Sequence, residues 1–235
     1  MSKGQIIVTG ASRGIGEAIA LELERRGFAV AGFSRSGTTA AGTGYACDMT
    51  DETAIAEAIA SVAANGPIIG LINNAGAHEG KRSAELSLAD FESTMRLNAS
   101  AVMVSCREVY PHLKAHGDSL IVNIGSFFDK LAVVDNLAYC ASKAAVGAIT
   151  RCLAAEWARD GIRVLDVAPG YIETDLNRDF LASEKVQSWL KRRVPAGRAG
   201  SAQEVARLVG ALFAENIAFL TGETIYIDGG QGMNH

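Results

Sequence analysis

Three side chains in one stretch have the types and spacing to move a proton. Ser126, Tyr139 and Lys143 lie in the segment SFFDKLAVVDNLAYCASK. Helix residues four apart share a face, so Tyr139 and Lys143 can present a phenol and an ammonium to one cleft. A free phenol, with a pKa of about 10, is a poor acid or base near neutrality. A cation held beside it favours the phenolate and brings that pKa toward working range. Ser126 can then fix a substrate oxygen while Tyr139 exchanges a proton with it. The same spacing is common on solvated helix faces, so the surrounding elements decide its meaning.

Gln5–Thr9 (QIIVT) is a short apolar, β-branched run of the kind buried in parallel sheets. Gly10-Ala11-Ser12-Arg13-Gly14-Ile15-Gly16 follows at once, then a helical pattern from Glu17 to Arg26. A glycine-rich turn between strand and helix lets backbone approach a pyrophosphate, and the helix start supplies amides and a positive dipole end. This predicts dinucleotide binding by Gly10, Ser12, Arg13, Gly14, Ile15 and Gly16. The next strand, Phe28–Phe33, ends in Ser34-Arg35-Ser36, where an NAD-selective site carries an acidic residue. Ser34 and Arg35 stand there instead, with Arg13 in the glycine loop, and two guanidinium groups suit a 2′-phosphate. NADP(H) is expected over NAD(H).

Gly42–Ala46 reads as a third strand closed by Cys47-Asp48. Asp48 can accept from an adenine amino group or cap the helix Glu52–Ala64. Ile68–Ile72 is a fourth strand, and Asn73-Asn74-Ala75-Gly76 follows where open α/β sheets place ligands. Ser87 to Leu113 reads as one long helix. Asn98 inside it is unfavourable unless its amide bends the helix or holds a water. Leu120–Gly125 is a fifth strand that delivers Ser126. The helix Tyr139–Arg159 is rich in small residues, which suits a subunit interface. Ile162–Ala168 is a sixth strand, leading to Pro169-Gly170-Tyr171-Ile172-Glu173-Thr174. The polar, irregular stretch 175–200 is a candidate substrate lid. Ala202–Glu215 is a further helix and Thr224–Ile227 a seventh strand. His112 and His116 lack a third ligand and read as complements to a helix end, so no metal is expected. The alternation predicts one α/β domain over 1–235, with a mostly parallel seven-stranded sheet and helices on both faces.

The 235 residues are 49% apolar and 20% charged with a net charge of −4, enough to fill a core and unsuited to nucleic acid or anionic membrane. Cys47, Cys106, Cys140 and Cys152 form no C-x-x-C pair and suit a reducing compartment. No basic-then-apolar leader follows Met1 and no apolar run is long enough to cross a bilayer, so a cytosolic protein is expected.

Together these stretches resemble the short-chain dehydrogenase/reductase family over essentially the whole chain. Thr9–Gly16 is similar to its TGxxxGxG loop and Asn73–Gly76 to its NNAG loop. Asn98, Ser126, Tyr139 and Lys143 match its catalytic set. Pro169, Gly170 and Thr174 match its PG motif and following threonine, which contact the nicotinamide end in that family. The segments 172–175, 194–198 and 220–223 look most like 3-oxoacyl-[acyl-carrier-protein] reductases. The resemblance implies a Rossmann-type, doubly wound fold and hydride transfer between nicotinamide C4 and a carbonyl or carbinol carbon. It implies Tyr139 as general acid and base, with Lys143 lowering its pKa and holding the nicotinamide ribose. Ser126 would steady the substrate oxygen, and Asn98 would support a water relay. Further cofactor contacts are expected from Cys47, Asp48, Asn74, Ala75, Gly76 and Ile172. A homotetramer built on the helices 87–113 and 139–159 is also implied.

The chain departs from the family in two places. Phe127-Phe128-Asp129 replaces small residues after the serine, which predicts a narrow aromatic substrate pocket of Phe127, Phe128 and Tyr171. Asp160 stands where carrier-protein reductases commonly carry a basic residue, which does not suit docking of an acidic carrier protein. The expected activity is an NADP(H)-dependent carbonyl reductase or alcohol dehydrogenase acting on a small molecule. The alternatives are a 3-oxoacyl-[acyl-carrier-protein] reductase and a cofactor-sensing module without turnover.

Overall fold

The computed structural model describes residues 4–175 and 177–233. The chain start read at Met1 and the last residues of the domain expected over 1–235 lie outside the described residues. Strands β1 (Gln5–Thr9), β2 (Ala29–Ser34), β3 (Thr43–Ala46), β4 (Ile68–Asn73), β5 (Ser119–Ile124) and β6 (Ile162–Pro169) are separated by helices, apart from β2 and β3, which follow one another directly. A two-stranded pair follows, β7 (Ile172–Glu173) with β8 (Gly200–Ser201), and then β9 (Thr224–Ile227). The main sheet has seven strands in the order β3-β2-β1-β4-β5-β6-β9, every neighbour parallel. Parallel neighbours require crossovers, which helices supply everywhere except between β2 and β3, where the loop 35–42 makes the connection.

The helices are α1 (Gly14–Arg25), α2 (Glu52–Ala64), α3 (Leu88–Met95), α4 (Ala101–His116), α5 (Leu137–Trp157), α6 (Arg178–Ala182), α7 (Glu184–Arg193) and α8 (Ala202–Glu215). On one face of the sheet α1 and α8 bury Ile19, Leu23, Val205 and Val209. On the other, α2, α4 and α5 bury Ile59, Val62, Val109, Leu113 and Val146. With both faces covered, β5 and β6 are buried along their whole length, which is why such strands read as continuous apolar runs. None of the helices among the described residues is long and apolar enough to cross a membrane.

Because the strands are parallel, Gly10, Ser34, Asn74, Ser126 and Gly170 all lie at or just past carboxyl ends along one edge of the sheet. The strand order reverses between β1 and β4, and open α/β sheets bind ligands at such a switch point.

Two expectations are corrected. The helix expected over Ser87–Leu113 is α3, a π turn at Arg96–Ser100, and α4; the amide of Ala101 reaches back five residues to the carbonyl of Arg96. A π turn is a single local insertion between two α-helical segments that each keep their own period, so a helical pattern on both sides does not reveal it. The stretch 175–200 is not irregular: α6 and α7 close over their own small core of Leu181, Leu190 and Val194, joined by Tyr171 and Trp189. Only Leu190 of α7 is buried, and its many charged residues obscure the helical period.

Candidate active site

The glycine loop has a geometry that only glycine permits. Gly10 adopts φ +68°, and a Cβ there would stand 3.0 Å from Ala75 Cα. Gly16 presses so closely on the loop that its Cβ would lie 2.2 Å from Gly10 O. Thr9 Oγ1 accepts from the amides of Asn74 and Ala75 at 3.0 Å each, and Asn74 Nδ2 donates to Thr9 O at 3.0 Å. These bonds seat the loop after β4 on the loop after β1. Arg13, the N-cap of α1, makes no side-chain capping bond, so the first amides of α1 remain for an anion. A cradle that a Cβ would fill, facing the start of a twelve-residue helix, fits a dinucleotide pyrophosphate.

At the end of β2 the predicted phosphate residues differ in availability. Arg13 and Arg35 are exposed, as is Ser12. Ser34 is buried and its hydroxyl donates to Thr38 O at 2.7 Å, so it shapes its own loop. Cys47 is in the core with its thiol against Met49, and burial pushes that thiol up to about 11. Asp48 accepts from the amide and hydroxyl of Thr50 at 2.9 and 2.8 Å, bonds that hold its carboxyl below the usual range. The cap of α2 is Asp51, not Asp48.

A cleft of about 370 Å³ lies at the switch point. Ser126, Tyr139 and Lys143 line it together with Ile15, Asn74, Gly76, Pro169, Gly170, Ile172 and Thr174. Tyr139 and Lys143 occupy the amino-terminal part of α5, and Lys143 Nζ stands 5.6 Å from the Tyr139 ring centre. Lys143 is buried and donates to Ile124 O at 2.7 Å; burial pushes its ammonium down to about 8, with Asp166 acting the other way. Burial raises the Tyr139 phenol above its ordinary value, and the Ser126 hydroxyl opposes this. The lowered phenol expected from the Lys143 charge is therefore not found in the protein alone, where desolvation is the larger effect. Ser126 caps the turn Phe127–Asp129 by accepting from Phe128 N at 3.3 Å, which fixes its hydroxyl at the cleft.

The expected aromatic pocket is formed by ring packing. Phe127 and Phe128 are buried, with ring centres 4.7 Å apart, and Phe127 meets Tyr171 at 5.2 Å. Phe128 stands edge-on to Tyr139 at 5.7 Å, and Trp189 of α7 extends the wall from Tyr171 at 5.1 Å. Asp129 does not enter the pocket, since its carboxylate accepts from the Tyr226 hydroxyl at 2.7 Å.

Three contributors escaped the sequence reading. His78 stands edge-on to Tyr139 at 4.7 Å and bonds Asn136 across the mouth of the cleft. A single histidine in a loop gives no spacing signal. Trp189 lies in the stretch read as irregular. Asp166, fully buried in β6, is the one acidic residue of IRVLDVAP.

Asn98 sits in the π turn, 1% exposed. Its amide bonds both backbone groups of Ala77 and also Ser142 Oγ, which in turn donates to Tyr139 O at 2.8 Å. The side chain is thus spent on fixing the loop beside the cleft and the first turns of α5.

A family model described as enoyl-(acyl carrier protein) reductase matches residues 10–232. Gluconate 5-dehydrogenase of Gluconobacter oxydans (strain 621H) is 34% identical over 245 residues, covering 98% of this chain and 95% of the relative. The 3-oxoacyl-[acyl-carrier-protein] reductase of Escherichia coli (strain K12) is 34% identical over 237 residues, covering 97% and 96%. The crystal structure of a gluconate 5-dehydrogenase from Burkholderia cenocepacia J2315 in complex with NADP and tartrate superposes with a TM-score of 0.90 at 31% identity, covering 100% of this chain and 97% of that one.

Proposed function

The chain belongs to the short-chain dehydrogenase/reductase family and is an oxidoreductase, and from that premise we propose a single-domain, NADP(H)-dependent enzyme that interconverts a small ketone and its secondary alcohol. The observation that carries this reading is the cleft in which Tyr139, Lys143 and Ser126 converge beside the glycine loop. When bound, the dinucleotide supplies or accepts the hydride.

The chain's own residues do the rest. Tyr139 gives a proton to the substrate oxygen in reduction and takes it back in oxidation; its raised phenol keeps it a proton donor near neutrality. Ser126 orients that oxygen. Lys143 supplies positive charge beside the phenol and a donor for the nicotinamide ribose. Asn98 is a positioning residue, because its amide is already bonded to Ala77 and Ser142. Glycine-loop amides hold the pyrophosphate, and Arg13 and Arg35 take the 2′-phosphate; a neighbour bound to NADP supports that choice. Phe127, Phe128, Tyr171 and Trp189 exclude water and shape the substrate. Relatives named for gluconate and D-threitol put small hydroxylated alcohols first in a screen. A homotetramer through the helical region 87–113 and α5 completes the proposal, to be read by light scattering.

The test is Tyr139→Phe with the ketone or alcohol that a cofactor-loaded screen identifies. General acid–base catalysis contributes about 10²–10⁴-fold, so kcat should fall at least a hundredfold while NADPH still binds. Undiminished turnover would remove Tyr139 from the chemistry. The second reading, a 3-oxoacyl-[acyl-carrier-protein] reductase, is favoured by the relative from Escherichia coli. Asp160 speaks against it, being held by Lys114 at 3.0 Å and Tyr110 at 2.8 Å at the end of α5. Turnover of a 3-oxoacyl thioester far above that of simple ketones would reverse the preference. NADP binding without turnover across the whole panel would favour a sensing module.

A further inference from the structure

Asp166 is a fully buried carboxylate in the middle of β6. Its Oδ2 accepts from Thr224 Oγ1 at 3.2 Å, and its Oδ1 has no hydrogen-bond partner. The carboxylate lies directly against Gly125, where a Cβ would stand 2.4 Å from Oδ1. The preceding carbonyl, Ile124 O, is the acceptor for Lys143 Nζ at 2.7 Å. Asp166 and Lys143 therefore approach two consecutive residues, Gly125 and Ile124 respectively, at the carboxyl end of β5, just before Ser126. An ammonium has three protons to donate, and Ile124 O takes one. A buried charge with so few partners is costly unless an opposite charge lies near it.

We propose that Asp166 is a positioning residue of the reaction, the buried counter-charge that keeps Lys143 an ammonium in a dry cleft. It acts on Tyr139 and on the cofactor ribose through Lys143, so it rests on the role given to Lys143 in the proposed function. The groups around the carboxylate fit the assignment. Lys143 of α5 is the cation whose charge acts on it, Asp129 from the turn after β5 adds like charge, and β9 contributes Thr224 and Tyr226, the latter beside Asp129 and Asp228. Burial pushes the carboxyl up to about 6 and the ammonium down to about 8, and each charge counters the shift of the other. Each group thus favours the charged form of the other near neutrality. Gly125 completes the arrangement, because a side chain there would displace the carboxylate.

The experiment follows the Lys143 side-chain nitrogen by ¹⁵N NMR through a pH titration, with the signal assigned by its loss in Lys143→Met. In Asp166→Asn the titration midpoint should fall by about one pH unit, since an opposite charge nearby shifts a pKa by roughly that much or more. The alkaline limb of kcat/KM should move down with it, while KM for substrate at pH 6.5 changes less than about threefold, as expected when a residue acts only on the reacting state. An unchanged Lys143 midpoint, with activity lowered equally at every pH, would make Asp166 a packing residue and overturn the proposal. Should Asp166→Asn not fold, Asp166→Ser leaves room for a water at the orphaned oxygen and gives the same comparison. Full activity in Lys143→Met would instead overturn the role of Lys143, and the NMR midpoints would still report on the pairing.

Discussion

Asn98 holds Ala77 by both of its backbone groups: Oδ1 accepts from the Ala77 amide at 2.9 Å, and Nδ2 donates to its carbonyl at 2.8 Å. The π turn places this amide one residue away from His78, which faces Tyr139. Asn98→Ala leaves those backbone groups unpaired at about 1–3 kcal/mol each. The expected result is a kcat/KM lower by about tenfold to a hundredfold and a melting temperature lower by several degrees. Asn98→Asp keeps the acceptor and should lose less of the melting temperature. Kinetics and thermal melts of both variants check this, and an unaltered kcat/KM in Asn98→Ala would dismiss the clamp.

What the sequence made legible follows from how local each signal was. β1, α2, α8 and β9 have the bounds that their residues predict, because each is closed by local chemistry. Asp51 caps α2, and Ser201 with Glu204 forms a capping box on α8. The elements carrying Ser126, Tyr139 and Lys143 were legible for the same reason, to within a residue or two. The π turn was not, since only the bond from Ala101 to Arg96 distinguishes it from a regular turn. The Asp166–Lys143 relation was hidden more deeply: the residues sit on a strand and a helix that only the packing of α5 against β6 brings together. The direction of the Tyr139 shift is not legible in the sequence, because a neighbouring cation can be read from spacing, whereas desolvation depends on Phe128 and His78 closing over the ring.

Arg13 and Arg35 are exposed at the two loops that flank the adenosine end of the proposed cofactor site. A hydrogen bond to a charged group contributes about 1.5–3 kcal/mol, so Arg35→Asp should weaken NADPH by roughly tenfold to a hundredfold and leave NADH within a few fold. Titration calorimetry with both nucleotides reads the ratio. Equal movement of the two dissociation constants would remove Arg35 from 2′-phosphate recognition.

Ser201 starts α8, whose Val205 and Val209 pack beneath the sheet near α1. Removing the cap in Ser201→Ala should cost about 1 kcal/mol in chemical denaturation. Glu204 adds a pH signature. Its carboxyl is held down to about 2 by Arg198 and by the Ser201 amide, below the value of about 4.3 for an unfolded chain. A group with a depressed folded pKa stabilises above the unfolded value and loses that contribution as pH falls through the folded one. The stability gap between wild type and Glu204→Gln should therefore be full at pH 6 and vanish near pH 2. A gap that persists in acid would assign it to packing.

The alkaline side of the rate profile tests the cation beside the phenol. Lys143 is lowered by burial to about 8, so its ammonium is complete at pH 6.5 and is lost as pH rises through 8 and 9. Tyr139 is raised, so over that range the phenol keeps its proton and does not itself limit ketone reduction. For reduction, kcat/KM, which reports the free enzyme, should fall about tenfold per pH unit above 8. In Lys143→Met this limb should disappear, leaving a low rate that is flat from pH 7 to 9. If the wild-type rate instead held level to pH 10, charge on Lys143 would have no part in the step, and Ser126 with Tyr139 would be the whole of the proton-handling machinery.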